Sequence, residues 1–171
     1  NAGNINDFAN SIRAMRRHEI ERIGLAWMSG VIDDEASLAG MTDVYDAAIE
    51  ASLQWAIQHR INDIQIDEAP AAIAIIGMGR YGGREVNFSS DADVIIIYRP
   101  AEGADDDQAN LFARKVQEDL RAILQGPTTF EPKIELDMDL RPEGKNGPLV
   151  RSYASCEEYY RSWASTWEHQ A

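Results

Sequence analysis

Asp91 and Asp93 stand two positions apart at the head of the apolar run "ADVIIIY", and Asp137 and Asp139 repeat that spacing in "KIELDMDL". In a strand, residues i and i+2 project from one face, about 6–7 Å apart. Each pair would therefore bring two carboxylates toward one spot. Such carboxylates repel and are tolerated where a cation lies between them. An all-oxygen donor set selects Mg²⁺ or Mn²⁺ over zinc. If both runs are strands of one sheet, a member of the second pair joins the first. Three carboxylates around two metal ions is the arrangement used in phosphoryl and nucleotidyl transfer. The plainer reading of a bare D-x-D is a strand that starts in solvent. Just upstream, the stretch from Gly82-Gly83 to Ser89-Ser90 is rich in small residues, so its backbone N–H groups can approach phosphate oxygens.

The same region carries a competing motif. Gly77, Gly79 and Gly82 spell G-x-G-x-x-G after the apolar run "AAIAIIGM". A dinucleotide fingerprint must open directly into a helix whose N-terminus holds the pyrophosphate. Between Gly82 and Asp91 lie a second Gly, an Asn and two Ser, which leaves no room for a striped helix of ordinary length. The acidic residue expected about 20 positions on falls near Tyr98, whereas the acids here precede the second apolar run. The fingerprint fails its context.

The elements that must position these residues follow from periodicity. Residues 7–28 read as a helix capped by Asn6 or Asp7 and ended at Gly30, with Phe8, Ile12 and Met15 on one face and Ile20, Ile23 and Trp27 continuing it. Asp33-Asp34-Glu35 can start a short helix that stops near Gly40. Thr42 can cap another to about residue 60, striped by Tyr45, Ile49, Leu53, Ala56 and Ile57. Residues 1–65 are thus expected to form a small helical leader that acts as scaffold. The polar stretch 61–70 ends in Pro70 and marks a boundary. Residues 71–78 and 92–98 are predicted strands buried on both faces. Residues 104–126 are predicted to be a helix with acidic N-terminus, a stripe of Phe112, Val116, Leu120, Ile123 and Leu124, and a stop at Gly126. Residues 133–140 alternate as a third strand. Ser155 and Glu158 form a capping box for a last helix bearing Tyr160, Trp163 and Trp167. The expectation is an α+β core over 66–154, with 155–171 opening a following helical segment. Both ends read as interior to a longer chain.

Composition bounds the rest. The 171 residues are 44% hydrophobic with a net charge of −13. That suits one compact domain. It argues against broad nucleic-acid binding, which needs a basic footprint. No apolar run reaches the ~18–20 residues of a membrane span, so no membrane partner is expected. The single Cys156 excludes an intrachain disulfide and favours a reducing, cytoplasmic location. His18, His59 and His169 are scattered, so no zinc cluster is expected.

A glycine pair, a short spacer, S-D-x-D at a strand head and a distant Asp on another strand resemble the polymerase-β-like nucleotidyltransferase superfamily. More closely, "GMGRYGGREVNFSSDADVIII", "LDMDLRPEGKNGPLV" and "TWEHQA" resemble the glutamine synthetase adenylyltransferase/deadenylylase family, from about residue 71 to 171. That family has two related nucleotidyltransferase domains in one chain, one removing AMP from glutamine synthetase and one adding it. "IGMGR" and "SDADV" resemble the C-terminal, adenylylating copy of the actinobacterial type, while "REVN" resembles the first copy. The resemblance implies a polymerase-β-like core with a mixed sheet flanked by helices. It implies ATP as substrate, Mg²⁺ (or Mn²⁺) held by Asp91, Asp93 and Asp137, and glutamine synthetase as protein substrate. It places Gly82, Gly83 and Ser90 on the phosphate side. Arg141 and Lys145 become candidate triphosphate contacts, with a salt bridge or solvated loop as the alternative. It assigns Asp139 no metal role, leaves the role of Glu85 open, and favours packing over adenine stacking for Trp163 and Trp167. It also implies regulation of the parent chain by a PII-type nitrogen signal protein and by glutamine.

Overall fold

The computed structural model describes residues 4–127, 131–166, 168 and 169. Helix α1 spans Ile5–Met28 and is capped by Asn4, whose side chain accepts from the Asn6 N–H. Capping therefore falls two or three residues before the expected position. After a short turn, α2 runs uninterrupted over Asp34–Asp63, capped by the Asp33 side chain on the Ala36 N–H. The expected break at Gly40 is absent. A glycine inside a helix costs only about 1 kcal/mol, and a Cβ at Gly40 would meet the Ile23 side chain at 3.4 Å, so its smallness serves helix packing. Thr42 caps nothing: its hydroxyl donates to the Leu38 carbonyl.

Strand β1 (Ala71–Gly77) leads into a four-residue helical turn, α3 (Gly79–Gly82), and then to β2 (Ala92–Pro100). Helix α4 (Asp106–Gln125) begins at the Asp105 cap. It is followed by β3 (Leu136–Asp137), a 3-10 turn (Gly144–Asn146), β4 (Val150–Ser152) and α5 (Tyr153–Ser162). β2 is the central strand. It pairs antiparallel with β1, from Ala71↔Pro100 to Gly77↔Val94. On its other edge it pairs parallel with β3 at Ala92↔Leu136 and Asp93↔Asp137, and with β4 from Ile96↔Val150 to Tyr98↔Ser152. The antiparallel β1–β2 pair excludes the parallel βαβ unit that a dinucleotide fingerprint requires.

Three expectations need correction. β1 is not buried on both faces: Ala72, Ala74 and Ile76 are exposed, because this strand lies at the sheet edge with one face uncovered. The third strand shrinks from 133–140 to two residues. There the Asp137 carboxylate accepts the Asp139 N–H at 2.7 Å, and the Arg141 N–H turns back to the Met138 carbonyl. Local side-chain-to-backbone bonds thus compete with the ladder and win. The cap of α5 is Ser152, which accepts from the Ser155 N–H, because β4 runs straight into the helix. Trp163 is 76% exposed and packs little; Trp167 lies outside the described residues.

The stripe of α4 is buried as expected, and one contiguous core links α1 and α2 to α4 and the sheet. The seam between leader and core is polar at one point. Arg13, fully buried, donates from Nε and Nη2 to the Ile123 carbonyl at 2.9 and 2.7 Å. That carbonyl belongs to the last turn of α4, where intrahelical partners run out. Its neighbours are served by backbone: Ala122 accepts from Gly126 and Leu124 from Ile134. No helix among the described residues is long and apolar enough to cross a membrane. Arg13→Ala removes a buried side chain and leaves a carbonyl unpaired, so denaturant unfolding should show a loss of about 2–4 kcal/mol. Arg22→Ala, at an exposed pair with Glu19, should change stability by less than about 1 kcal/mol.

Candidate active site

Register alone brings the acids together. Asp93 and Asp137 are paired positions on adjacent parallel strands, and neighbouring strands lie about 4.8 Å apart. The Ala92 N–H donates to the Glu135 carbonyl at 2.9 Å, and the Met78 N–H to the Asp93 carbonyl at 2.8 Å, so β2 is pinned on both sides at this height. Asp91 lies exposed just ahead of β2, and lines with Asp137 and Arg121 a cleft of about 440 Å³. Burial first, then the facing carboxylates of Asp91 and Asp137, hold the Asp93 carboxyl above its ordinary value, against the pull of Arg80. Of the two acids on the last run, it is Asp137 that joins the pair. Asp139 lines the same cleft but is engaged in ion pairs with Lys145 at 3.1 Å and Arg141 at 3.5 Å.

The turn beside Asp93 is Gly79, not Gly82-Gly83. Gly79 has φ of +52°, and a Cβ there would sit 2.6 Å from the Asp93 carboxylate. Only glycine accepts both the backbone conformation and the contact. Gly82 is the last residue of α3 and Gly83 its C-terminal cap. A Cβ on Gly82 would stand 2.5 Å from the Gly77 carbonyl, so that glycine lets α3 fold tightly onto the end of β1. Ser90 has a turn role: its hydroxyl accepts from the Asn87 N–H at 3.1 Å.

The leader grips this loop from behind. Tyr81 donates to Asp46 at 2.7 Å, Arg84 pairs with Asp43 at 2.6 Å, the Val86 N–H meets the Thr42 hydroxyl at 3.3 Å, and Tyr45 donates to the Ser90 carbonyl at 2.9 Å. Burial, with the Asp46 bond, raises the Tyr81 hydroxyl pKa well above its usual value, which keeps it a donor. On the far side, Arg141 is buried and clasps the 138–147 loop through the carbonyls of Met138, Gly147 and Lys145 at 2.6, 3.0 and 3.1 Å. Its donors are committed to backbone, so Arg141 positions the loop. Lys145 is exposed and held by Asp139. Glu85 is exposed, and the structure gives its side chain no role.

Sequence reasoning missed Gly79, Arg80 and Arg121. Arg80 is exposed and makes no ion pair among the described residues, yet it is near enough to Asp93 to lower its pKa. The signal for Gly79-Arg80 was present in "GMGR" and was spent on the dinucleotide test. Arg121 is visible only once α4 is seen to end beside β3.

Among the described residues, no three Asp, Glu, His or Cys side chains already form a metal cage. The donors nevertheless fit a hard divalent cation: they are carboxylate oxygens, and the burial and then the neighbouring carboxylates that raise the Asp93 pKa are disadvantages such an ion would offset.

Comparison with known proteins gives a consistent result. The profile of the glutamate-ammonia ligase adenylyltransferase family matches residues 2–171. A bifunctional glutamine synthetase adenylyltransferase/adenylyl-removing enzyme of Bifidobacterium longum (strain DJO10A) is 77% identical over 168 residues, covering 98% of this chain and 16% of the relative. The protein of the same description from Mycobacterium tuberculosis (strain ATCC 25618 / H37Rv) is 45% identical over 159 residues, covering 93% of this chain and 16% of the relative. The chain thus spans about a sixth of the length of these relatives.

A carboxyl whose folded pKa is raised favours the folded state most at low pH and loses that contribution as pH rises through the folded value. Near neutral pH, ionised Asp93 therefore destabilises the metal-free chain. Asp93→Asn should raise the thermal midpoint in EDTA at pH 7, and the gain should shrink toward pH 4. Mg²⁺ or Mn²⁺ should stabilise the parent chain and not the variant. Differential scanning fluorimetry across pH and metal concentration reads both. Gly79→Ala should also weaken the metal response, since its Cβ displaces the Asp93 carboxylate.

Proposed function

The chain belongs to the glutamate-ammonia ligase adenylyltransferase family, and from that premise we propose that it transfers AMP from ATP to a tyrosine hydroxyl of glutamine synthetase. The observation that carries this reading is the pairing of Asp93 with Asp137 across two parallel strands, with Asp91 at the mouth of the same cleft. Asp91, Asp93 and Asp137 are the residues that would hold Mg²⁺ or Mn²⁺, which when bound neutralises charge at the reacting phosphorus and acidifies the acceptor hydroxyl. Gly79 lets the α3 turn approach the donor's phosphates closely, and Arg80 supplies a cation on that side. Asp137 faces the open cleft and is placed to take the tyrosine proton. A tyrosine hydroxyl of ordinary pKa, about 10, needs such help near neutrality. The tyrosine oxygen bonds to the α-phosphorus, the bond from that phosphorus to the bridging oxygen breaks, and pyrophosphate leaves. We take the setting to be cytoplasmic. Regulation of the parent chain by a PII-type signal protein and by glutamine belongs to the same reading.

The relatives are named as adenylyl-removing enzymes too, which favours keeping a second reaction in view. The same acids would serve phosphorolysis, in which phosphate attacks the adenylyl-tyrosine linkage and ADP leaves.

The test is transfer of label from α-labelled ATP to unmodified glutamine synthetase. The chain should transfer label with Mg²⁺. Asp93→Asn and Asp137→Asn should each lose at least a hundredfold, beyond the roughly 10–100-fold typical of outer-shell changes at metal sites. Transfer that survives either substitution would overturn the assignment of the acids. ADP release from adenylylated glutamine synthetase and phosphate, without label transfer, would establish the second reaction in its place.

A further inference from the structure

The cleft at Asp91 and Asp137 does not end there. Arg121 and Leu149 line both it and a second cavity of about 480 Å³. Together they make a groove between the outer face of α4 and residues 148–150. Two features of the second cavity are unspent. Gln117 is 4% exposed and lines it, and its side-chain amide nitrogen is sealed from solvent without a hydrogen-bond partner. Arg114 is exposed and makes no ion pair among the described residues; Glu118, one turn on, is taken by Lys115 at 2.8 Å. Asn110 also lines the cavity, and its amide nitrogen donates to the Tyr98 hydroxyl at 3.1 Å. In a chain of net charge −13, this groove carries Arg114 and Arg121 two helical turns apart on one face. Four acids, Asp91, Glu135, Asp137 and Asp139, line the other half of the groove, where Glu135 is engaged by Gln125 and Asp139 by Lys145.

Position in the reaction says what the groove is for. Attacking and leaving oxygens lie in line across the transferred phosphorus. Gly79 and Arg80 stand on the β1 side of Asp93, the side that the transfer reading above assigns to the donor's phosphates. The acceptor must therefore enter from the opposite, β3 side, which is the side on which this groove opens.

We propose that the groove between α4 and residues 148–150 docks the acceptor protein itself, as an acidic polypeptide segment flanking the modified tyrosine, with Arg114 and Arg121 pairing its carboxylates and the Gln117 amide bonding its backbone. The inference rests on the transfer reaction above. A primary amide carries a donor and an acceptor and so matches a peptide group, and a buried amide left unpaired is costly until something pairs it. Charge at the rim also speeds encounter, in a salt-dependent way.

The experiment compares the chain with Arg114→Glu, Gln117→Leu and, as a matched charge reversal elsewhere, Arg22→Glu. Affinity for unmodified glutamine synthetase is measured by biolayer interferometry at two salt concentrations, and affinity for Mg²⁺-ATP by calorimetry. Arg114→Glu should weaken glutamine synthetase binding at least tenfold at low salt and leave ATP binding within twofold; Arg22→Glu should leave both within twofold. Gln117→Leu should weaken glutamine synthetase binding several-fold with no loss of thermal stability, a combination that a purely structural amide would not give. Glutamine synthetase binding that is unchanged by Arg114→Glu and Gln117→Leu overturns the docking assignment and leaves the transfer reading standing. Loss of ATP affinity in those variants overturns it in favour of a nucleotide subsite. A parent chain that binds ATP but not glutamine synthetase overturns both readings together.

Discussion

The structure is organised around a repulsion. β2 and β3 are paired in a register that sets Asp93 against Asp137, and Asp91 adds a third negative group at the same end. Nothing in the folding of a sheet requires this. A one-residue slip would turn the acids to opposite faces, and an apolar pair would be more stable. The register is instead pinned by backbone bonds on both sides of β2, at Met78–Asp93 and Ala92–Glu135. The cost shows in the raised pKa of Asp93. Destabilising groups held in place by their surroundings are what functional sites commonly look like.

Two clasps, built from different materials, hold the segments on either side. The loop from Tyr81 to Ser90 is tied to α2 through Thr42, Asp43, Tyr45 and Asp46. Four hydrogen bonds from little more than one turn of α2 thus convert a glycine-rich loop, costly to order, into a fixed wall. The loop from Met138 to Gly147 is tied by one buried guanidinium, Arg141, to three of its own carbonyls. The leader is consequently not an accessory to the core. It supplies the support for one wall of the site and, through Arg13, a hydrogen bond to a carbonyl in the last turn of α4.

Much of this was legible in the sequence. The long striped helix at 106–125, the apolar strands at 71–77 and 92–100, and the convergence of Asp91 and Asp93 with an acid from the last run all follow from periodicity and alternation. What was not legible depends on contacts between distant residues. Gly40 reads as a helix stop until Ile23 is seen against it. "KIELDMDL" alternates through eight residues, yet Asp137 spends its carboxylate on the Asp139 N–H and ends the strand early. The resemblance offers Arg141 as a triphosphate contact with a salt bridge or solvated loop as the alternative, and only the fold shows its donors bonded to the carbonyls of Met138, Lys145 and Gly147. Ser155 loses the cap to Ser152 because β4, a strand too short to carry a pattern, precedes α5 without a loop.

The glycine spacing in "GMGRYGG" shows how one motif can point to two chemistries. Glycines spaced this way permit close backbone approach, and that is useful beside a pyrophosphate whether the fold is dinucleotide-binding or nucleotidyl-transferring. What separates the two is the direction of the next strand. A parallel successor needs a full crossover helix to carry the chain back along the sheet, and that helix then presents its N-terminus to the ligand. An antiparallel successor needs only a loop, so α3 stops after four residues and the chain returns with its acids at the head of β2. The same glycines then lie beside carboxylates: Gly79 against Asp93 is that contact. Strand direction, set by the loop length between residues 82 and 92, decides which ligand the motif is able to serve.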